Sequence, residues 1–181
     1  MPCAVSGPTT GMAAAEPPTP APAILYVDTS AMLKLLVREA ESAAIECELL
    51  EWSELATSVI TEVELPRAVA RAREERADAV IDGSVVLQGV LASAAIVPLS
   101  ENIVAAARKV KPVHVGALDA IHIASALSLG GQLAGVATYD RRMQDALEPL
   151  GVDVIAPEEA GEDETPTDTS ASPGNEQQTP E

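Results

Sequence analysis

Four acidic residues lie where the surrounding sequence is mostly apolar. Asp28 and Asp140 each follow a run that is predicted to form a strand, and Glu64 and Asp119 lie in stretches rich in aliphatic residues. If the four side chains converge, their repulsion has a chemical consequence. Two carboxylates about 4 Å apart repel each other by about 4 kcal/mol at an effective dielectric constant of 20. Such a cluster must either take up protons or bind a cation.

A site built from carboxylates with room for water suits hard cations such as Mg²⁺ or Mn²⁺. The sequence offers no Cys/His spacing typical of a zinc site. A hard cation held by acids can activate water, orient a phosphate and offset charge on a leaving oxygen. The acids therefore indicate phosphodiester cleavage, provided that they meet in the folded protein.

Each acid also has a simpler explanation. Asp28 and Asp140 could be helix N-caps, Asp119 could favour a helix N-terminus, and Glu64 could be a solvated helix residue. Surface solvation alone does not explain two acids at strand ends and two in apolar settings. Both interpretations stay open at this stage.

The elements that must position these acids alternate between strands and helices, which predicts an α/β fold with a parallel sheet covered on both faces. The opening strand, 24–27, ends at Asp28, and ligands bind at the carboxyl ends of strands in open α/β sheets. Further strands are predicted at 55–58, 95–99, 133–139 and 152–155. Helices are predicted at 31–37 (capped by Thr29 or Ser30), 41–52, 60–75 (with Pro66 at a kink or in the first turn), 77–91, 101–110, 117–129 and 141–150.

The chain of 181 residues is predicted to hold one domain between two tails. Residues 1–23 are rich in Pro and Ala, residues 158–181 are rich in Pro, Thr and acids, and both are expected to be disordered because they cannot bury enough apolar surface. The net charge is −17, but nine of the 28 acids lie in the tails, which leaves 19 acids and 11 bases in the domain 24–157. This balance of about −8 counts mildly against a polynucleotide substrate.

Cysteine usage and the N-terminus predict where the protein is found. The cysteines, Cys3 and Cys47, are not placed as a disulfide framework, which is typical of a cytoplasmic protein. The N-terminal segment lacks the basic residue and the apolar run of a signal peptide. No stretch is long and apolar enough to predict a membrane span, so no membrane partner is expected.

Four short motifs, in order along the domain, resemble the acidic motifs of PIN-domain ribonucleases, most closely those of VapC-type toxins from bacterial type II toxin–antitoxin pairs. They are Tyr26–Ala31, Thr61–Leu65, Leu118–His122 and Thr138–Arg142. The resemblance implies a PIN-like three-layer α/β/α sandwich with a mostly parallel central sheet. It also implies Mg²⁺- or Mn²⁺-dependent endoribonuclease activity on RNA, a homodimer, and a small cognate antitoxin protein as partner.

The resemblance assigns roles to individual residues. Asp28, Glu64, Asp119 and Asp140 match the catalytic, metal-binding acids, and Glu64 is preferred to Glu62 because it directly precedes a Leu. Thr138 matches a supporting hydroxyl position near the fourth acid. Arg141 and Arg142 directly follow that acid and are candidates for binding substrate phosphate.

Three other residues have two interpretations each. His122 is three residues after Asp119 and shares its helix face, so a general base is conceivable, although a packed or supporting histidine is favoured. Arg67 and Arg71 are one helix turn apart on the predicted helix of Glu64. They could face phosphates near the metal or lie on a solvated face.

Two rival functions remain. A non-catalytic, protein-binding PIN-like module is slightly favoured by the acidic balance. A phosphoryl-transfer enzyme with Asp28 as nucleophile is disfavoured, because Asp28 is followed by Thr29 and Ser30, without a second acid two residues on or a Gly-rich phosphate loop.

Overall fold

A computed structural model describes residues 23–81 and 84–159 of the chain. The predicted tails lie almost entirely outside these ranges, so their disorder stays a prediction. Within the described ranges, no helix has both the length and the apolar character needed to cross a membrane.

Strands and helices alternate along the described part of the chain, which confirms the predicted α/β class. The strands are β1 (Ile24–Val27), β2 (Glu54–Ser58), β3 (Ala95–Val97), β4 (Leu133–Ala137) and β5 (Val154–Ile155). The helices are α1 (Thr29–Leu33), α2 (Ser42–Leu50), α3 (Thr61–Glu75), α4 (Val85–Ser93), α5 (Glu101–Ala107), α6 (Ala117–Leu127) and α7 (Arg141–Leu147). Short 3₁₀ turns cover Ala77–Ala79, Gly130–Gln132 and Glu148–Leu150.

The strands form one sheet in the order β3-β2-β1-β4-β5, and every neighbouring pair is parallel. The chain builds outward from β1 through β2 to β3, and then crosses to the other side of β1 to add β4 and β5. This reversal makes the carboxyl ends of β1 and β4 the switch point of the sheet, where ligand sites form in open α/β folds.

Side chains along β1 alternate between the two faces of the sheet, and helices cover both faces. Leu25 and Val27 join a core cluster with residues of α1 to α4, whereas Tyr26 points to the opposite face and packs with residues of α6 and α7. Each face therefore has its own apolar core, and the domain is an α/β/α sandwich.

Several predicted boundaries were wrong, and three of the differences concern a helix cap, a whole helix and the end of a strand. The cap of α1 is Asp28 rather than Thr29 or Ser30, because its carboxylate accepts the backbone N–H of Ser30. The helix predicted at 77–91 is instead a 3₁₀ turn followed by α4, which begins after the cap residue Ser84. The strand predicted at 133–139 ends at Ala137, so Asp140 lies beyond the strand and caps α7.

Pro66 lies inside α3, five residues after its first residue, and the helix continues to Glu75. It therefore lies beyond the first turn of the helix. Only within the first turn does a proline cost no backbone hydrogen bond.

Candidate active site

The site begins at the switch point of the sheet, where β1 and β4 end side by side. Asp28 directly follows β1 and is only 5% exposed. Its backbone N–H donates to the carbonyl oxygen of Ala137, the last residue of β4. Thr138 directly follows the neighbouring strand, β4, and is fully buried. Sheet pairing therefore places the first predicted acid beside the predicted supporting hydroxyl.

One oxygen of Asp28 is held by three donors. Oδ2 accepts the Thr138 hydroxyl at 3.0 Å, the Ser30 hydroxyl at 2.6 Å and the Ser30 backbone N–H at 3.2 Å. The Ser30 hydroxyl also accepts the backbone N–H of Tyr139 at 2.9 Å, which links α1 to the loop after β4. A buried carboxylate needs such donors to offset its lost hydration, and these fix its orientation.

Glu64 approaches from α3 and is half-buried rather than solvated. Its Oε2 accepts the Thr29 hydroxyl at 2.8 Å and lies 2.7 Å from Nε2 of His122. Burial raises the pKa of Glu64, but the hydrogen bonds from His122 and Thr29 outweigh burial, and the net shift is downward. Glu64 is therefore held as a carboxylate against Thr29 and His122.

His122 lies between two of the acids, at 2% exposure. Its Nε2 is 2.7 Å from Oε2 of Glu64 and 3.3 Å from Oδ1 of Asp28, and its Nδ1 is 2.7 Å from the Tyr26 hydroxyl. The favoured interpretation of a packed, supporting histidine matches this placement. Its contact with Asp28 and Glu64 was not predicted, because the only signal in the sequence was the three-residue spacing from Asp119.

Asp119 occupies the first turn of α6, where its side chain accepts the backbone N–H of the N-cap residue, Gly116, at 3.2 Å. Burial raises the pKa of Asp119, and the charges of Asp140 and Asp28 raise it further, against a smaller opposite effect of Arg142. The repulsion that was expected among clustered acids is therefore present at this position.

Asp140 caps α7 by accepting the backbone N–H groups of Arg142 and Met143, at 2.8 and 3.4 Å. The Arg142 guanidinium lies 3.2 Å from Oδ2 of Asp140 and 3.9 Å from Oδ2 of Asp119. Burial raises the pKa of Asp140, but the hydrogen bonds with Arg142 outweigh it, and the net shift is downward. Arg142 thus touches both acids on this side of the site.

One cleft of about 520 Å³ brings the four predicted acids together. Its polar lining consists of Asp28, Thr29, Ser30, Glu64, Arg67, Arg71, Asp119, His122 and Asp140. Arg67 and Arg71 therefore face the cleft, and within the described ranges neither has a carboxylate at ion-pair distance. Arg141 lines a separate cavity with Lys34 and Glu41, so it is not brought to the acids.

The possible metal ligands of the cleft fit a hard cation, because four carboxylates line it. One oxygen of Glu64 (Oε1) and one of Asp119 (Oδ1) accept no hydrogen bond from the described residues. However, no three His, Cys, Asp or Glu side chains among residues 23–81 and 84–159 are already gathered around one point. Asp28 and Glu64 instead converge on His122.

Sequence reasoning missed Thr29 and Ser30, which hydrogen-bond Glu64 and Asp28, and Tyr26, which hydrogen-bonds His122. Thr29 and Ser30 were interpreted only as helix caps, although hydroxyls that directly follow a strand-end acid can also bond that acid. Tyr26 gave no signal, because an aromatic residue inside a strand normally indicates core.

Comparisons with known proteins agree with this architecture. Residues 25–148 match the PIN domain family model. Three relatives from Mycobacterium tuberculosis are ribonuclease VapC47 (33% identical over 142 residues, 74% of this chain and 97% of the relative), ribonuclease VapC46 (35% over 141 residues, 75% and 98%) and ribonuclease VapC35 (36% over 141 residues, 76% and 99%). The chain therefore belongs to the PIN domain family and is homologous to the VapC ribonucleases.

Proposed function

We propose that this protein is a Mg²⁺- or Mn²⁺-dependent endoribonuclease and the toxin of a toxin–antitoxin pair. The observation that supports this most is the common cleft of Asp28, Glu64, Asp119 and Asp140, which come from four different elements. The homology to the VapC ribonucleases supports RNA as the substrate.

In this proposal Asp28, Glu64 and Asp119 hold the metal, and Asp140 completes the site or orients the attacking water. The bound cation would supply Lewis-acid activation of water and charge compensation at the scissile phosphate. Thr138 and Ser30 keep Asp28 fixed, since both hydroxyls donate to its Oδ2.

Phosphate binding is assigned to arginines at the cleft. Arg67 and Arg71 line it from α3, and Arg142 lies beside Asp119 and Asp140. Guanidinium groups bind phosphate oxygens through paired N–H donors and position a nucleic acid without reading its sequence. These arginine side chains offset the net negative charge of the domain at the place where the substrate would bind. Arg141, in the neighbouring cavity, could contact only a more distant phosphate.

The partners proposed with this function are RNA, a small cognate antitoxin and a second copy of the chain. These proposed partners follow from homology to the VapC ribonucleases rather than from a contact in the structure. Co-expression with the product of a neighbouring small gene, followed by co-purification, would test the antitoxin.

The central test is Asp28→Asn. Asparagine keeps the size and most capping ability of aspartate but removes its charge. We expect the purified variant to retain the wild-type circular dichroism spectrum and to lose at least about 100-fold in RNA cleavage with Mg²⁺, since a metal ligand is removed. Growth inhibition on expression should be lost as well.

Asp145→Asn is the matched control. Asp145 is an exposed acid on α7 that lies outside the acidic cleft. We expect it to cleave RNA at the wild-type rate. If Asp28→Asn cleaves RNA as fast as the wild type in Mg²⁺, the proposed function is wrong.

A further inference from the structure

The Tyr26 hydroxyl is a polar group inside an aliphatic core. Tyr26 is completely buried among Ala56, Ile123 and Val136, which contribute no polar side-chain atom. A buried hydroxyl in such a place needs a partner, and its oxygen lies 2.7 Å from Nδ1 of His122. The two rings meet edge to face, with centroids 5.9 Å apart.

The direction of this hydrogen bond depends on the tautomer of His122. When Nδ1 of His122 carries no hydrogen, the one hydrogen of the Tyr26 hydroxyl points to it.

The other ring nitrogen of His122 faces only acceptors that need a donor. Nε2 lies 2.7 Å from Oε2 of Glu64, 3.3 Å from Oδ1 of Asp28 and 3.3 Å from the Thr29 oxygen. The Thr29 hydroxyl already donates to Glu64. A hydrogen on Nε2 serves both carboxylates, whereas a lone pair there would face two negative charges. A neutral imidazole carries its hydrogen on one nitrogen, and the partner of the other selects which.

We propose that Tyr26 is a positioning residue, which fixes His122 in the tautomer with its hydrogen on Nε2 so that this N–H holds Asp28 and Glu64 together. The metal-related part of this inference rests on the proposed function. The chain from Tyr26 through His122 to the two acids joins the core on one face of the sheet to the cleft. Residues that orient metal-binding side chains in this way commonly affect metal affinity by about 10- to 100-fold.

The tautomer can be read directly in the metal-free protein. The chain has two histidines, so a His114→Gln variant assigns the ring ¹⁵N signals of His122. At pH 8 we expect wild-type His122 to carry its hydrogen on Nε2. Tyr26→Phe should shift the signals toward a mixture of tautomers. A wild-type hydrogen on Nδ1 would overturn the inference whether or not the protein cleaves RNA.

Metal affinity provides the second readout, by calorimetric titration with Mn²⁺ in the absence of RNA. We expect Tyr26→Phe to weaken Mn²⁺ binding by about 10-fold. Tyr139→Phe, which changes the other tyrosine and removes only a hydroxyl bonded to the Pro157 carbonyl, should bind Mn²⁺ as the wild type does. Equal affinities of the wild type and Tyr26→Phe would contradict the role of Tyr26.

A pair of His122 variants keeps the inference testable if Tyr26→Phe does not fold. His122→Gln can still present an N–H near the position of Nε2, whereas His122→Leu cannot. We expect His122→Gln to bind Mn²⁺ more tightly than His122→Leu; equal losses would show that the ring only fills space. A wild type that binds no Mn²⁺ would contradict the proposed metal site and the metal-related part of this inference, and the tautomer measurement would still decide the rest.

Discussion

Three acids of the cleft also accept backbone N–H groups at the starts of helices. Asp28 and Asp140 cap helices, and Asp119 accepts the backbone N–H of the N-cap residue at the start of α6. The simple structural explanations for these three residues are therefore geometrically correct, and they do not compete with a metal-binding role. Because asparagine is also a good N-cap, Asp→Asn substitutions separate the two roles, whereas Asp→Ala substitutions would combine them.

Gly116 is the residue at which a single methyl group would reach the cleft. A Cβ at this position would lie 2.9 Å from Oδ2 of Asp119, although the backbone angles of Gly116 suit alanine. We expect Gly116→Ala to move the Asp119 carboxylate and to lower RNA cleavage by roughly 10-fold, because displacements of about 1 Å are costly in a catalytic site. Initial cleavage rates with Mg²⁺ would measure this effect.

Gly89→Ala is the control for this substitution. Gly89 lies inside α4 with open space around its Cβ position. We expect unchanged cleavage and a gain of about 0.5–1 kcal/mol in the free energy of unfolding, because alanine favours a helix interior over glycine. If Gly116→Ala cleaves as fast as Gly89→Ala, the position of Asp119 does not matter for catalysis.

At the level of elements, a cluster of charges joins the helices that support Asp28 and Glu64. The Lys34 ammonium, just after α1, lies 2.8 Å from Glu39 and 2.9 Å from Glu41. Arg76, at the end of α3, lies 2.7 Å from the other oxygen of Glu39. Lys34 also lies over the Tyr139 ring, 4.4 Å from its centroid. The cluster therefore connects α1, α2, α3 and the loop before α7.

This cluster predicts a pH-dependent stability. The hydrogen bonds of Arg76 and Lys34 lower the pKa of Glu39 below its ordinary value of 4.5. A lowered folded-state pKa gives stability that is complete above the unfolded-state value and is lost as the pH falls through the folded-state value. We expect Glu39→Gln to be less stable than the wild type by about 1 kcal/mol at pH 7, and the difference to shrink by pH 3.

Urea unfolding at the two pH values would measure this difference. Glu46→Gln is the matched control, because Glu46 is an exposed acid on α2 and is expected to show no such difference. A destabilisation by Glu39→Gln that stays constant from pH 7 to pH 3 would contradict the electrostatic explanation.

At the scale of the whole molecule, a cation should stabilise the fold by relieving repulsion in the cleft. Binding at ten times the dissociation constant contributes about 1.4 kcal/mol, which raises the melting temperature of a domain this size by about 3–6 °C. We therefore expect Mn²⁺ to raise the melting temperature of the wild type. The double variant Asp28→Asn/Asp119→Asn should melt at the same temperature with and without Mn²⁺.

The same titration distinguishes the nuclease from the rival interpretation of a non-catalytic binding module. A wild type whose melting temperature does not change at millimolar Mn²⁺ would favour the binding module. A shift of equal size in the double variant would mean that the ion binds elsewhere on this acidic chain.

Much of the fold could be predicted because local patterns specify local structure. The apolar run of β1 ending at Asp28 identified the strand, and the alternation of strands and helices identified the parallel sheet. The boundaries were less certain, because they depend on competition between local groups. The Asp28 side chain, for example, takes the N-cap role that the sequence also offered to Thr29 and Ser30.

The residues that position the acids could not be predicted from local patterns. Tyr26 and His122 are 96 positions apart, and they meet because α6 packs across the sheet face on which Tyr26 lies. Helical periodicity shows which residues share a face, but it does not show what that face packs against. Arg67 and Arg71 had two open interpretations for this reason. Arg141 was grouped with Arg142, although Arg142 lies beside Asp119 and Arg141 lines a separate cavity.

The sequence by itself determined the fold class, the carboxylates and the strand-end position of Asp28, because these depend on residue type and on neighbours along the chain. Only the tertiary structure decided that Asp28 meets Glu64 through His122 and that all four acids line one cleft. Strand order and helix packing bring together groups that are far apart in sequence. They are set by burial of whole faces, which no single motif specifies.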